Sequence, residues 1–105
     1  MLDKKLTNVN LNNVIKAQAL LKIIANKQRL LILCKLKQKE SSVNELCEFL
    51  NLSQPATSQH LALMRKEGLV STRQSQQSIY YAINSSAVGD IIEVLYKHYC
   101  QEDCN

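Results

Sequence analysis

The groups in this 105-residue chain with chemistry to offer are four thiols, two imidazoles and one row of small polar side chains. Cys34, Cys47, Cys100 and Cys104 can ligate a soft metal, attack a sulfane sulfur or a peroxide, or pair with one another once deprotonated. Ser53, Gln54, Thr57, Ser58, Gln59 and His60 form the polar row, with Arg65 and Lys66 following. Amides and hydroxyls in such a row meet the donor and acceptor pattern of base edges, and the cations meet phosphate. His98 is the second imidazole. The alternative reading of each group is structural: a buried cysteine filling the core, a solvated helix face, a surface histidine.

Composition narrows these options. Hydrophobic residues make up 46% and charged residues 21%, the balance of one folded domain spanning 1–105, with residues 1–9 expected to fray and 101–105 to form a polar tail. The formal charge of +4 permits nucleic acid without requiring it. No apolar run is long enough to span a bilayer, and the first residues lack a signal-peptide core, so a cytoplasmic protein with reduced thiols is expected. A phosphate-binding Gly-rich loop and a carboxylate pair are both missing from the sequence, and no catalysis and no cofactor are assigned.

The elements that must position these groups can be read from periodicity and caps. Leu11 to Ile24 carries a wide apolar stripe for one helix, as if two faces were covered. Asn26 can cap a second helix running to about Lys37. Ser42 and Glu45 have capping-box spacing before a short third helix with Val43, Leu46, Cys47 and Leu50 on one face, which places Cys47 in the core. Asn51 and Leu52 make a turn, and Ser53 caps a fourth helix that tolerates Pro55 in its first turn. Leu61, Met64 and Ala62 form its core side, and Gly68 ends it. Val70 to Arg73 and Ser78 to Ile83 are β-prone around polar Gln74 to Gln77, which predicts a hairpin. Ser85 or Ser86 caps a last helix whose Val88, Ile91, Ile92, Leu95 and Tyr99 form a seam up to Cys100. The order is four helices, two strands and one helix, mainly α with a β-hairpin.

Two short helices joined by a tight turn, the second opening in the polar row, are the layout of a helix-turn-helix. With the hairpin beside it, the chain resembles the ArsR/SmtB family of bacterial winged-helix transcription regulators. The resemblance is carried by Ala25-Asn26-Lys27-Gln28-Arg29-Leu30-Leu31-Ile32-Leu33, by Leu52-Ser53-Gln54-Pro55-Ala56-Thr57-Ser58-Gln59-His60-Leu61 and by Glu67-Gly68-Leu69-Val70. It implies a winged helix-turn-helix, a homodimer built on the first and last helices, and a double-stranded operator held by the fourth helix and the hairpin wing. One departure stands out: wings in the family carry more basic residues and a glycine at the tip, whereas here Arg73 is followed by Gln74, Ser75, Gln76 and Gln77. Arg73 is then the wing's candidate phosphate or minor-groove contact.

The metal sites known in the family are dismantled here. Ser42 and Asn44 stand where one set has its Cys-x-Cys pair, and Ser85, Ala87, His98 and Gln101 stand where the other has its ligands, leaving His98 alone. Cys34 and Cys100 instead match the sensor dithiol of a subgroup typified by HlyU, BigR and SqrR, along with Ser42-Val43-Asn44-Glu45-Leu46-Cys47, Ile79-Tyr80-Tyr81 and Leu95-Tyr96-Lys97-His98-Tyr99-Cys100. That resemblance implies a repressor or anti-repressor whose DNA affinity falls when persulfide or an oxidant bridges Cys34 and Cys100. Two alternatives stay open: a metal-responsive repressor with a non-standard thiolate site using Cys34, Cys47 or Cys104, and a dimeric interaction module with weak DNA binding. Cys104 is an accessory thiol or has no role.

Overall fold

The computed structural model describes residues 9–100, and the side chains of 9–99. The expectations for the N-terminal residues 1–8, the polar tail and Cys104 lie outside the described residues.

Five helices and a small sheet follow one another as α1 (Leu11–Ile24), α2 (Lys27–Gln38), β1 (Ser41–Ser42), α3 (Val43–Leu50), α4 (Gln54–Lys66), β2 (Val70–Ser75), β3 (Ser78–Ile83) and α5 (Ser86–Leu95), with a π-helical turn over Tyr96–Cys100. Each helix start is fixed by a side-chain cap. Asn10 Oδ1 accepts from Asn12 N at 2.8 Å, Asn26 Oδ1 from Arg29 N at 3.0 Å, Ser53 Oγ from Ala56 N at 3.2 Å and Ser85 Oγ from Val88 N at 3.3 Å. Such caps satisfy amide donors that have no partner inside the helix. The expected capping box is present: Glu45 N donates to Ser42 Oγ at 3.2 Å and Ser42 N to Glu45 Oε1 at 2.8 Å.

The α3–α4 turn is closed by Asn51, which adopts the left-handed region at φ 56, one that asparagine tolerates better than most residues. Gly68, at φ 85, ends α4, and Leu69 N returns to Met64 O at 2.8 Å. The hairpin is longer on its first strand than expected, reaching Ser75, so the loop shrinks to Gln76 and Gln77.

The strand order is β1-β3-β2, all antiparallel. β1 is a two-residue strand that periodicity did not show; Ser41 pairs with Tyr81 and Ser42 with Tyr80. It ties the start of α3 to the middle of β3, so the wing is anchored to the helix-turn-helix.

Ile32, Leu33, Leu36, Leu46, Leu61, Met64, Val70, Val88 and Ile92 close one core between α2, α3, α4, the sheet and α5. Burying side chains of this size contributes roughly 1.5–3 kcal/mol each before conformational entropy is counted. Cys34 is buried in the same cluster. Two expectations are corrected. Cys47 is only half-buried, because Leu46 takes the inward position on α3, and Ala62 is exposed, on the opposite side of α4 from Leu61 and Met64.

α1 touches this core only through its C-terminal end. Every residue from 11 to 19 is exposed, including Leu11, Val14 and Ile15, whereas Ile24 is buried. No helix among the described residues is long and apolar enough to cross a membrane.

Candidate nucleic-acid interface

α4 has two chemically distinct sides. Thr57, Leu61 and Met64, spaced i, i+4 and i+7, are buried and dock the helix on the core. Gln54, Gln59, Arg65 and Lys66 are exposed on the other side, with Ser58 half-buried between them and Ser53 exposed at the cap. That surface combines amide and hydroxyl groups for base edges with two cations for phosphate, at the scale of one major-groove helix.

Two residues expected there lie elsewhere. Thr57 is 0% exposed, and its Oγ1 has no hydrogen-bond partner among the described residues, so its hydroxyl cannot reach a base edge. His60 is half-buried at the edge of the helix facing α2, where its Nδ1 lies 3.4 Å from Arg29 Nη1. Burial pushes the His60 pKa down, and the charge of Arg29 adds to the shift. A neutral imidazole can accept from the guanidinium, and the Arg29 side chain is held from the other side by Ile23 O, 2.7 Å from Nε.

Beside α4 the groove continues. A cavity of about 230 Å³ is lined by Ser42, Val43 and Asn44 at the start of α3, by Gln54 at the start of α4, and by Gln77, Ser78 and Ile79 on the wing. The first turns of α3 and α4 thus open toward one cleft flanked by the hairpin, and helix N-termini favour anions there.

On the wing, Arg73 does not stand free. Its Nε donates to Glu40 Oε1 at 2.8 Å, and its Nη2 donates to the same oxygen. The hydrogen bond from Arg73 holds the Glu40 carboxyl below its ordinary range and raises Arg73 further. Glu40 was not singled out by sequence, because nothing local marks the residue between α2 and β1 as the partner of one in β2.

The thiols occupy a different region. Cys34 lies in the middle of α2, and Cys100 ends the π-helical turn that continues α5. α2 and α5 pack side by side, with Lys37 Nζ 3.6 Å from Glu93 Oε1 across their exposed edge. Among the described residues no three His, Cys, Asp or Glu side chains converge on a point that could hold a metal ion. His98 stacks at a tilt with Tyr99 at the surface, 6.5 Å between ring centroids.

A helix-turn-helix with a polar reading face and an adjoining hairpin wing defines a winged-helix, DNA-binding transcription regulator. Residues 26–72 match the family described as bacterial regulatory protein, arsR family. Transcriptional activator HlyU of Vibrio cholerae serotype O1 is 51% identical over 89 residues, which span 85% of this chain and 82% of that protein. The solved structure of reduced HlyU from Vibrio cholerae N16961 superposes with a TM-score of 0.83 at 50% identity, over 86% of this chain and 95% of the other. The transcriptional repressor BigR from Xylella fastidiosa superposes at 0.80 with 29% identity, over 90% and 93% of the two chains. The chain belongs to the ArsR family and is similar to its HlyU and BigR members. It is a transcription regulator.

Proposed function

We propose that two copies of this chain grip an operator through α4, and that the thiols of Cys34 and Cys100 set the strength of that grip. The observation that carries the DNA reading is the split of α4 into a buried Thr57-Leu61-Met64 side and an exposed Gln54-Gln59-Arg65 side. Gln54, Ser58 and Gln59 read base edges, and Ser53 and Arg65 hold the phosphate backbone, while Arg73 stays engaged by Glu40.

The homodimer is supported by apolar surface that the single chain leaves uncovered: Leu11, Val14, Ile15 and Leu21 on α1, Val94 on α5, and Tyr99 beyond it. A short helix standing off its own core draws its stability from a partner.

The switch rests on placement and on likeness. Cys34 is in the helix that packs on α5, and α5 leads directly to Cys100. The similar HlyU of Vibrio cholerae has a solved structure described as the reduced protein. In this chain a Cys34 thiolate attacks the outer sulfur of a persulfide R–S–SH, giving Cys34–S–SH and releasing the thiol R–SH. The Cys100 thiolate then attacks the inner sulfur, forming the disulfide and expelling hydrosulfide; where Cys34–S–SH first attacks the outer sulfur of a second persulfide, releasing another R–SH, attack of Cys100 on the middle sulfur of Cys34–S–S–SH gives a trisulfide bridge and hydrosulfide. Peroxide reaches the same disulfide through a sulfenic acid, with water as the product.

The test is titration of a duplex selected by the reduced protein from a random pool, before and after glutathione persulfide, with intact mass measured in parallel. Weaker binding accompanied by a Cys34–Cys100 bridge, both abolished in Cys34→Ser, is the expected result. Unchanged affinity of the bridged wild-type protein would remove the switch.

A further inference from the structure

The wing of this chain has a single cation. Between residues 70 and 83 the sequence holds Arg73 and no other arginine or lysine. In the sheet, Arg73 on β2 pairs in register with Tyr80 on β3, and Tyr80 pairs in turn with Ser42 on β1. Glu40 comes just before β1, on the far side of the middle strand. The Arg73 side chain crosses β3 over the Tyr80 ring, its Cζ 5.1 Å from the ring centroid, and donates to Glu40 Oε1 from both Nε and Nη2.

This arrangement uses the donors that a DNA phosphate would use. A guanidinium presents a rigid planar fork, and carboxylate and phosphodiester oxygens compete for the same N–H groups. The pair is solvent-accessible: the side chains of Arg73 and Glu40 are 55% and 35% exposed. The ring of Tyr80 under the guanidinium favours the crossing conformation over one that projects from the wing.

We propose that Glu40 is an internal stand-in for a DNA phosphate, masking the wing's only cation so that the hairpin meets the duplex without net positive charge. The inference rests on the DNA-binding reading above. The phosphate grip then comes from α4, through Arg65 and Lys66, and the wing serves as a neutral wall of Gln74, Ser75, Gln76 and Gln77. Glu40 acts as a specificity-determining residue: by keeping sequence-independent attraction low, it leaves discrimination to the glutamines of α4.

The experiment is a double-variant cycle on a short mixed-sequence duplex, for which no operator is needed because phosphate contacts carry no sequence information. Glu40→Gln is expected to tighten binding about threefold to fivefold, the scale of one exposed ion pair. The salt dependence should steepen by about one unit. In the Arg73→Gln background, Glu40→Gln is expected to leave the slope unchanged and to give a gain smaller by about threefold. Equal gains in both backgrounds, as long-range repulsion alone would give, overturn the proposal. So does unchanged or weaker binding by Glu40→Gln, which would make the pair a structural tether of the wing. A wild-type protein with no sequence preference would count against the reading of α4 and leave this comparison intact.

Discussion

Arg29 Nη1 lies 3.4 Å from His60 Nδ1, and Arg29 Nε donates to Ile23 O at 2.7 Å, so one guanidinium links the end of α1, the start of α2 and the middle of α4. α1 carries the uncovered apolar row, α2 carries Cys34, and α4 carries the reading face. Under the proposed function, a change at α1 or around Cys34 therefore has a polar contact through which to shift α4. The same contact requires His60 without a proton on Nδ1, since a charged imidazole would face Arg29 as a second cation.

Stability should accordingly depend on pH in one direction. Burial and Arg29 hold the His60 pKa below its ordinary value of 6.5, so the folded chain binds fewer protons than the unfolded chain once pH drops below that value. The contribution of this site is complete above about pH 6.5 and diminishes as pH falls toward the folded-state pKa. Thermal melts from pH 7.5 to 5 should show a smaller loss in His60→Gln, which keeps an acceptor near Arg29 and cannot charge. Parallel curves for the two proteins would show that His60 is not the group responsible.

The wing tip offers a second test. Gln76 sits at φ 57 in a two-residue hairpin loop, where a side chain is strained and glycine is favoured. Relief of that strain outweighs the extra chain entropy of glycine, so Gln76→Gly is expected to stabilise the protein by roughly 0.5–1 kcal/mol. A lower melting temperature would mean that the glutamine contributes more than its backbone conformation costs.

Ile15 tests the assembly. It is 53% exposed on a helix whose first nine residues have no cover from their own domain. A carboxylate in an apolar interface carries a desolvation penalty without a partner, so Ile15→Glu should shift the protein to monomer in sedimentation equilibrium and weaken operator binding with it. A variant that sediments like wild type would place the dimer contact away from α1.

The helices and hairpin were legible in the sequence because each is marked locally: Asn26, the Ser42/Glu45 box and Ser53 name their helix starts, and Gly68 names an end. Leu61 and Met64 mark the buried side of α4 in the sequence, but Thr57, on the same helical face, stands inside a polar run and reads as one of the DNA-facing residues. Other features depend on partners distant along the chain. β1 exists only because Ser41 and Ser42 meet Tyr81 and Tyr80, and two serines carry no strand pattern of their own. The Glu40–Arg73 pair follows from that same register, and the His60 environment follows from the packing of α2 on α4. The π-helical turn at Tyr96–Cys100 replaces the expected α-helical continuation of α5, and no proline or glycine marks it.

The proposed reading of base sequence by the exposed side of α4 has a direct measurement. Binding of the wild-type protein and of a Gln54→Ala/Gln59→Ala variant should be titrated against the selected duplex and against a scrambled one at a single salt concentration. The variant is expected to lose about 1–3 kcal/mol for each bidentate contact on the selected duplex and to keep its affinity for the scrambled one. Equal affinity of variant and wild type for the selected duplex would contradict it.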